Sequence, residues 1–387
     1  MKTSAIIGML VSIAVIVGIW FWMDKNASPQ SAAVDYKNAT YVIDGQPVTL
    51  VNDRAETPAA PGSASKIVTQ YFGNEAAGDL DGDRQDDIAF ILTQDRGGSG
   101  TFFYAAAALK TADGYRGTNA ILLGDRVAPQ TTEIRNGLLI ANYADRAQGE
   151  PMTARPSVGV SKYLTLADST LKEIAPLSKG EQVSFGYLTI GHEVRSFRPC
   201  GEGQPEYWLS GDSPALDELK GAYAREVSDV PPSAYTPLFA VLAGRITDTP
   251  ADGFGADYAH ALRVSELIRA DREESCKSDM IIVTSPRAGA AIASPLTVEG
   301  YARGPWYFEA SFPLILTDWD GKIIAEGYAT AQGEWMTESF VPFNGTLEFK
   351  KPEAANGFSR KGTLIFKKDN PSGMPEKDDS MSIPVGF

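Results

Sequence analysis

The longest apolar run stands at the start of the chain. From Thr3 to Met23 the stretch TSAIIGMLVSIAVIVGIWFWM carries no charged residue over 21 positions, and about 20 such residues make a helix that spans the hydrocarbon core of a bilayer. Lys2 precedes the run, Asp24 and Lys25 follow it, and Trp20, Phe21 and Trp22 fall where an aromatic belt meets the far headgroups. The competing expectation is a cleaved signal peptide, whose apolar region is about 7 to 15 residues long. This run is longer, and the small residues Ser31-Ala32-Ala33 lie well beyond its end. The pattern predicts a transmembrane signal anchor over 1–25, a polar linker over 26–37, and an extracytoplasmic location for the rest.

Beyond the linker the apolar period shortens to two. Tyr41-Val42-Ile43, the turn signal Asp44-Gly45 and Val48-Thr49-Leu50-Val51 read as a hairpin. The Pro-, Ala- and Ser-rich stretch 56–65 reads as a mobile loop. Segments 88–92, 101–109, 119–123, 138–143 and 163–166, broken by Gly97-Gly98-Ser99-Gly100, Asp113-Gly114 and Asn136-Gly137, predict a β-rich domain over 38–168. Across 169–279 the strand-like segments are 183–190, 194–197, 207–209 and 238–246. Residues 214–227 read as a helix, with Ser213 as N-cap, Pro214 in the first helical position and Asp217 and Glu218 in the first turns. Residues 259–271 are helical in outline, through Leu262, Val264, Leu267 and Ile268. This mixture predicts a small β barrel carrying one or two helices. From 280 to 387 there are seven β-prone segments, at 281–284, 296–301, 308–317, 322–329, 339–349, 363–367 and 382–385, which is the spacing of a sandwich. The fold class is mainly β and multidomain.

Charge and composition narrow the function. The 387 residues carry a net charge of −14, with no concentrated basic patch, so a nucleic-acid partner is excluded. Two histidines leave few candidates for acid–base chemistry near neutral pH. The nucleophile elbow G-x-S-x-G, the zinc motif H-E-x-x-H and the phosphate loop G-x-x-x-x-G-K-[ST] are all absent. His192 and Glu193 are neighbours on a strand-like segment and would face opposite ways, and both histidines read as structural. Outside the cytoplasm Cys200 and Cys276 are expected to pair. The loop they close is worth up to about 4.5 kcal/mol in the chain-entropy model.

The sharpest local signal is the run Gly78-Asp79-Leu80-Asp81-Gly82-Asp83-Arg84-Gln85-Asp86-Asp87. Asp79, Asp81, Asp83 and Asp87, with the main-chain carbonyl of Gln85, would converge on one oxygen-lined pocket of the sort that holds Ca²⁺. Without a cation so many like charges repel one another. The segment resembles the calcium loop of FG-GAP-type repeats, which runs directly into a strand as Ile88-Ala89-Phe90 does here. The sixth position, where a sharp turn favours glycine, is Arg84. Its Cβ penalises positive φ, and its charge opposes a cation.

Two longer resemblances complete the picture. Gly191-His192-Glu193-Val194, Phe197-Arg198-Pro199-Cys200-Gly201 and Tyr207-Trp208-Leu209 resemble the small oligonucleotide/oligosaccharide-binding (OB) type barrel of bacterial envelope lipoproteins related to copper-resistance and surface-sensing proteins. That resemblance implies an envelope module over 169–279. Ile281-Ile282-Val283-Thr284-Ser285-Pro286, Ser294-Pro295-Leu296-Thr297-Val298-Glu299-Gly300, the run from Trp306 to Pro313, Gly333-Glu334-Trp335, Asp369-Asn370-Pro371-Ser372-Gly373 and Ile383-Pro384-Val385 resemble the immunoglobulin-like domain of bacterial spore germination proteins. It implies a β-sandwich over 280–387 with no catalytic residues to carry over. Alternation puts Trp306 and Phe308 on one, core-facing side with Tyr307 opposite, and leaves Trp319 exposed in a turn. The expected function is a membrane-anchored envelope protein that binds or spaces without catalysis. Its partner is an envelope protein or glycan. The alternatives are a carbohydrate-active hydrolase and a periplasmic inhibitor or chaperone-like module.

Overall fold

A computed structural model describes residues 34–174, 177–178, 180–201, 203–210, 214–228, 235–352 and 360–387. The apolar run 3–23, most of the linker and Ser213 lie outside the described residues. Among the described residues no helix is long and apolar enough to cross a membrane. The protein is mainly β and multidomain, with barrel-like sheets and a C-terminal sandwich.

The first sheet contains β1 (Thr40–Ile43), β2 (Gln46–Thr49), β3 (Arg54–Pro58), β4 (Lys66–Gly78), β5 (Asp87–Asp95), β6 (Thr101–Thr111), β7 (Gly114–Gly117) and β8 (Asn119–Asp125). Its order is β2-β1-β8-β6-β5-β4-β3, with β7 paired to β6. The expected hairpin is β1–β2, turned by Asp44 and Gly45 at positive φ. The expected loop 56–65 is shorter than its composition implied, because residues through Pro58 pair with β4. The last linker residues are also built into the fold. Val34 bridges to Gly114, and the Tyr36 ring packs against Tyr71, Phe90 and Tyr115.

β5 and β6 are buried on both faces. Ala89, Ile91, Phe103, Ala105 and Ala107 serve one core, while the alternate residues Phe90, Leu92, Tyr104, Ala106 and Ala108 serve another. A strand with two buried faces reads as a continuous apolar run, which is why both were legible. The first of these cores is shared with a second sheet, β9 (Ala128–Arg135), β10 (Leu138–Asp145), β11 (Val158–Ala167) and β12 (Thr170–Glu173), in the order β12-β11-β10-β9. Leu139, Ala141, Tyr143, Leu164 and Leu171 are its contribution.

The barrel is formed by β13 (Gln182–Ile190), β14 (Arg195–Pro199), β15 (Tyr207–Ser210), β16 (Leu238–Thr247) and β17 (His260–Asp271), closed in the order β13-β14-β15-β17-β16. Helix α1 (Pro214–Glu226) lies between β15 and β16 in the chain and buries Leu216, Leu219 and Tyr223 in the barrel core. The helical outline of 259–271 is overturned: these residues are β17, parallel to β15 and antiparallel to β16. Two register shifts explain the mistaken period. Leu262 and Val264 face inward at a spacing of two, then the phase slips so that Leu267 packs inward as well. A bulged strand thereby imitates a helical repeat.

All seven expected strands of the last region are present: β18 (Ile281–Ser285), β19 (Leu296–Arg303), β20 (Ser311–Asp318), β21 (Ile323–Ala331), β22 (Phe340–Leu347), β23 (Lys361–Lys367) and β24 (Ser380–Gly386). Their order is β18-β19-β22-β21-β20-β23-β24, and the rings of Phe312, Phe343 and Phe366 meet in the core. The expected facing of the aromatic triplet is corrected. Trp306 and Tyr307 are both buried and Phe308 is exposed, because Gly304–Trp306 is a 3-10 turn and period-two alternation does not apply there. Trp319 is exposed, as its turn position implied.

Barrel and second sheet meet through an apolar seam of Leu138, Ile140 and Ile174 against Phe185, Phe239 and Val241. Cys200 and Cys276 are joined as a disulfide on the flank of this seam. Truncation there should be severe: Phe239→Ala is expected to cost about 3–5 kcal/mol in urea unfolding, and a loss under 1 kcal/mol would contradict the seam. The opposite sign is expected at the turn before β20. Glu309 and Ala310 occupy both positive-φ positions of a two-residue hairpin that suits Asn-Gly. Ala310→Gly should raise stability by about 1 kcal/mol, read as a higher melting temperature.

Candidate metal centre

The acidic loop joins β4 to β5 and is held by its own carboxylates. Asp79 accepts from the main-chain N–H of Gly82 at 2.7 Å and of Arg84 at 2.9 Å, and Asp81 accepts from that of Asp83 at 3.2 Å. Asp87, the first residue of β5, is fully buried. Its two oxygens accept from Leu80 N at 3.0 Å and Lys110 N at 2.8 Å, so it ties the loop to the sheet.

These bonds bring three of the four expected carboxylates together. Carboxylate oxygens of Asp79, Asp81 and Asp87 all lie within 4.8 Å of one another. Asp83 and Gln85 bond each other instead, the Gln85 N–H and side-chain amide donating to Asp83 at 2.8 and 2.7 Å. Burial raises the pKa of Asp79 and of Asp81. It pushes Asp87 up to about 7, with the charges of Asp81 and Asp79 adding to it, against the pull of the Lys110 and Leu80 N–H groups. The all-oxygen donor set fits a hard divalent ion such as Ca²⁺, with main chain and water completing six to eight ligands.

Arg84 takes the left-handed conformation that its place in the loop demands, with φ of 68°. Its guanidinium lies 4.3 Å from the ring centre of Tyr301 on β19. Asp86 is also committed to that strand, accepting two bonds from Arg303 at 2.7 and 2.9 Å. Sequence reasoning missed Tyr301 and Arg303, since a contact across 217 positions leaves no local trace. The one available signal was the arginine standing where glycine is cheaper.

Neither histidine builds a competing centre. His192 is exposed beside Glu193, at 3.9 Å, and exposed His260 sits edge-on to Tyr207 at 6.3 Å. On the outer face of β14 and β15, Trp208 is packed against Tyr258 and under the Arg195 guanidinium. Gly255 presses onto it so closely that a Cβ would fall 2.7 Å from the indole and from Pro250. The connection between β16 and β17 therefore covers this ring.

Removing the carboxylate of Asp87 strands two N–H groups at once. Asp87→Ala should cost about 2 kcal/mol or more of stability by urea titration, at about 1–3 kcal/mol per stranded buried donor, whereas an unchanged midpoint would deny the carboxylate its anchoring role.

No curated protein and no solved structure matches the chain. Residues 280–373, which take in β18 to β23 of the sandwich, match the family model of the immunoglobulin-like domain of bacterial spore germination.

Proposed function

We propose that this chain is a membrane-anchored, extracytoplasmic protein of the bacterial envelope whose β domains bind or space without catalysis. The observation that carries the reading is the Cys200–Cys276 disulfide. Such a structural cross-link belongs to an oxidising compartment, and the apolar run 3–23 supplies the matching anchor. The match of the sandwich to a bacterial domain family supports the same setting. The barrel order, with its third and fifth strands parallel and a helix between the third and fourth, supports an OB-type module. Its second- and third-strand face is covered by the chain itself around Trp208, which favours contact through outer surfaces over an open ligand cleft. The partner class is an envelope protein or glycan.

In the same proposal Asp79, Asp81 and Asp87 hold one Ca²⁺, with Asp83, drawn from its bonds to Gln85, and the main-chain carbonyl of Gln85 as further ligands. Binding would ionise Asp87 and relieve the repulsion among the three carboxylates.

The compartment is tested on whole cells quenched in acid. Both thiols should be unreactive until reduction, and protease added outside wall-stripped cells should digest everything beyond residue 33. Two free thiols, or full protection from protease, would overturn the placement. Calcium is tested on the purified chain by melts with chelator and with Ca²⁺. A ligand at a hundredfold over its Kd stabilises by about 2.7 kcal/mol, and this gain should vanish in Asp87→Asn. Identical melts together with a silent calorimetric titration would remove calcium from the proposal.

A further inference from the structure

The two joints that hold this protein together are built from opposite materials. The second sheet and the barrel share the seam of Leu138, Ile140, Phe185, Phe239 and Val241, all of them buried. The sandwich core, by contrast, is drawn entirely from residues after 279. Among the described residues, no buried apolar cluster contains side chains from both sides of that point.

What spans the gap is polar: buried Arg272 donates to the main-chain oxygen of Ala288 at 2.7 Å, and the remaining contacts are charged. Asp86 takes its paired bonds from Arg303, and Arg303 also donates to the main-chain oxygen of Asp279 at 2.7 Å. Lys277 pairs with Asp379 at 2.9 Å, and Arg287 pairs with Glu273. Arg84 adds its stacking on Tyr301. The Lys277 and Arg287 pairs are partly exposed and open to screening. Between these contacts the joint carries clefts of about 370, 550 and 220 Å³, half open to solvent and each lined by residues of the sandwich and by residues that precede it. The connection itself is a short turn, in which Met280 N and Ile281 N both donate to Lys277 O at 2.8 Å.

We infer that the sandwich is a releasable module: a charged latch on the acidic loop holds it docked, and it swings about the turn at 277–281 when the latch opens. A polar joint between parts with separate cores gains little from dry packing, so its closure rests on charged contacts, of which salt weakens the exposed Lys277 and Arg287 pairs most and leaves the more buried Asp86–Arg303 pair to be opened by substitution. Release of the sandwich also removes the stacking of Arg84 on Tyr301. The inference does not depend on calcium.

The test is a distance distribution by double electron–electron resonance on the full chain in detergent micelles. One spin-label pair is placed on Val51→Cys and Tyr328→Cys, both well exposed, on the first sheet and the sandwich. A control pair is Val51→Cys with Ile246→Cys on the barrel. Raising the ionic strength from about 0.05 to 1 M shortens the screening length to about 3 Å. The first pair should then show a second, longer distance whose population grows at least threefold, while the control pair stays fixed. Arg303→Gln, and independently Asp86→Asn, should populate that longer distance already at low salt. One unchanged distance in the wild type and in both variants would overturn the latch, and so would parallel broadening of the control pair.

Discussion

The arrangement of the N-terminal two thirds of this protein depends on one apolar seam. Outward-facing residues of β10 meet outward-facing residues of β13 and β16, so each sheet spends its second face on the other. A sheet with one solvated face alternates apolar and polar positions; here alternation is replaced by apolar residues on both sides, and each element covers an apolar face of its neighbour. The disulfide flanks this seam, with Cys276 N donating to the Tyr187 hydroxyl at its edge. Its role is to hold the end of the barrel segment where the seam needs it. The chain then leaves toward the sandwich from a fixed point.

The acidic loop is set by the opposite constraint. Asp87 is buried because β5 starts there and because two main-chain donors need its oxygens. Asp79 and Asp81 are drawn toward it by their own bonds to the loop backbone. Each bond is favourable alone, yet together they concentrate anionic oxygens in a small volume. The loop thus satisfies hydrogen bonding at the expense of electrostatics, which is the condition under which a cation or a proton is retained.

Much of this was legible locally. The seven sandwich strands, the helix opened by Pro214, the Asp44-Gly45 hairpin and the cysteine pair all follow from period, turn chemistry or compartment. The failures share a cause. β17 looked helical because bulges slip its phase, β4 passed unnoticed because its polar residues and the irregularity around Gly73 interrupt the alternation, and the Trp306 triplet was misread across a 3-10 turn. Each is a departure from regular geometry: two are register irregularities against the neighbouring strand, and the third is a 3-10 turn. In the acidic loop, residue types pointed to positions 79–87, but which carboxylates converge is settled by the Asp83–Gln85 bonds and by β6, whose Lys110 N–H donates to Asp87.

The separate sandwich core and the shared seam also differ in what they permit over evolutionary time. A unit that owes none of its buried side chains to its neighbours can be moved by gene fusion into another chain and fold there at once, losing only a few surface charges. The second sheet and the barrel have no such freedom. Each would arrive in a new host with Leu138 and Ile140, or Phe185 and Phe239, facing water. Those two must therefore be inherited as a pair, and substitutions on one side of the seam constrain what the other side can accept.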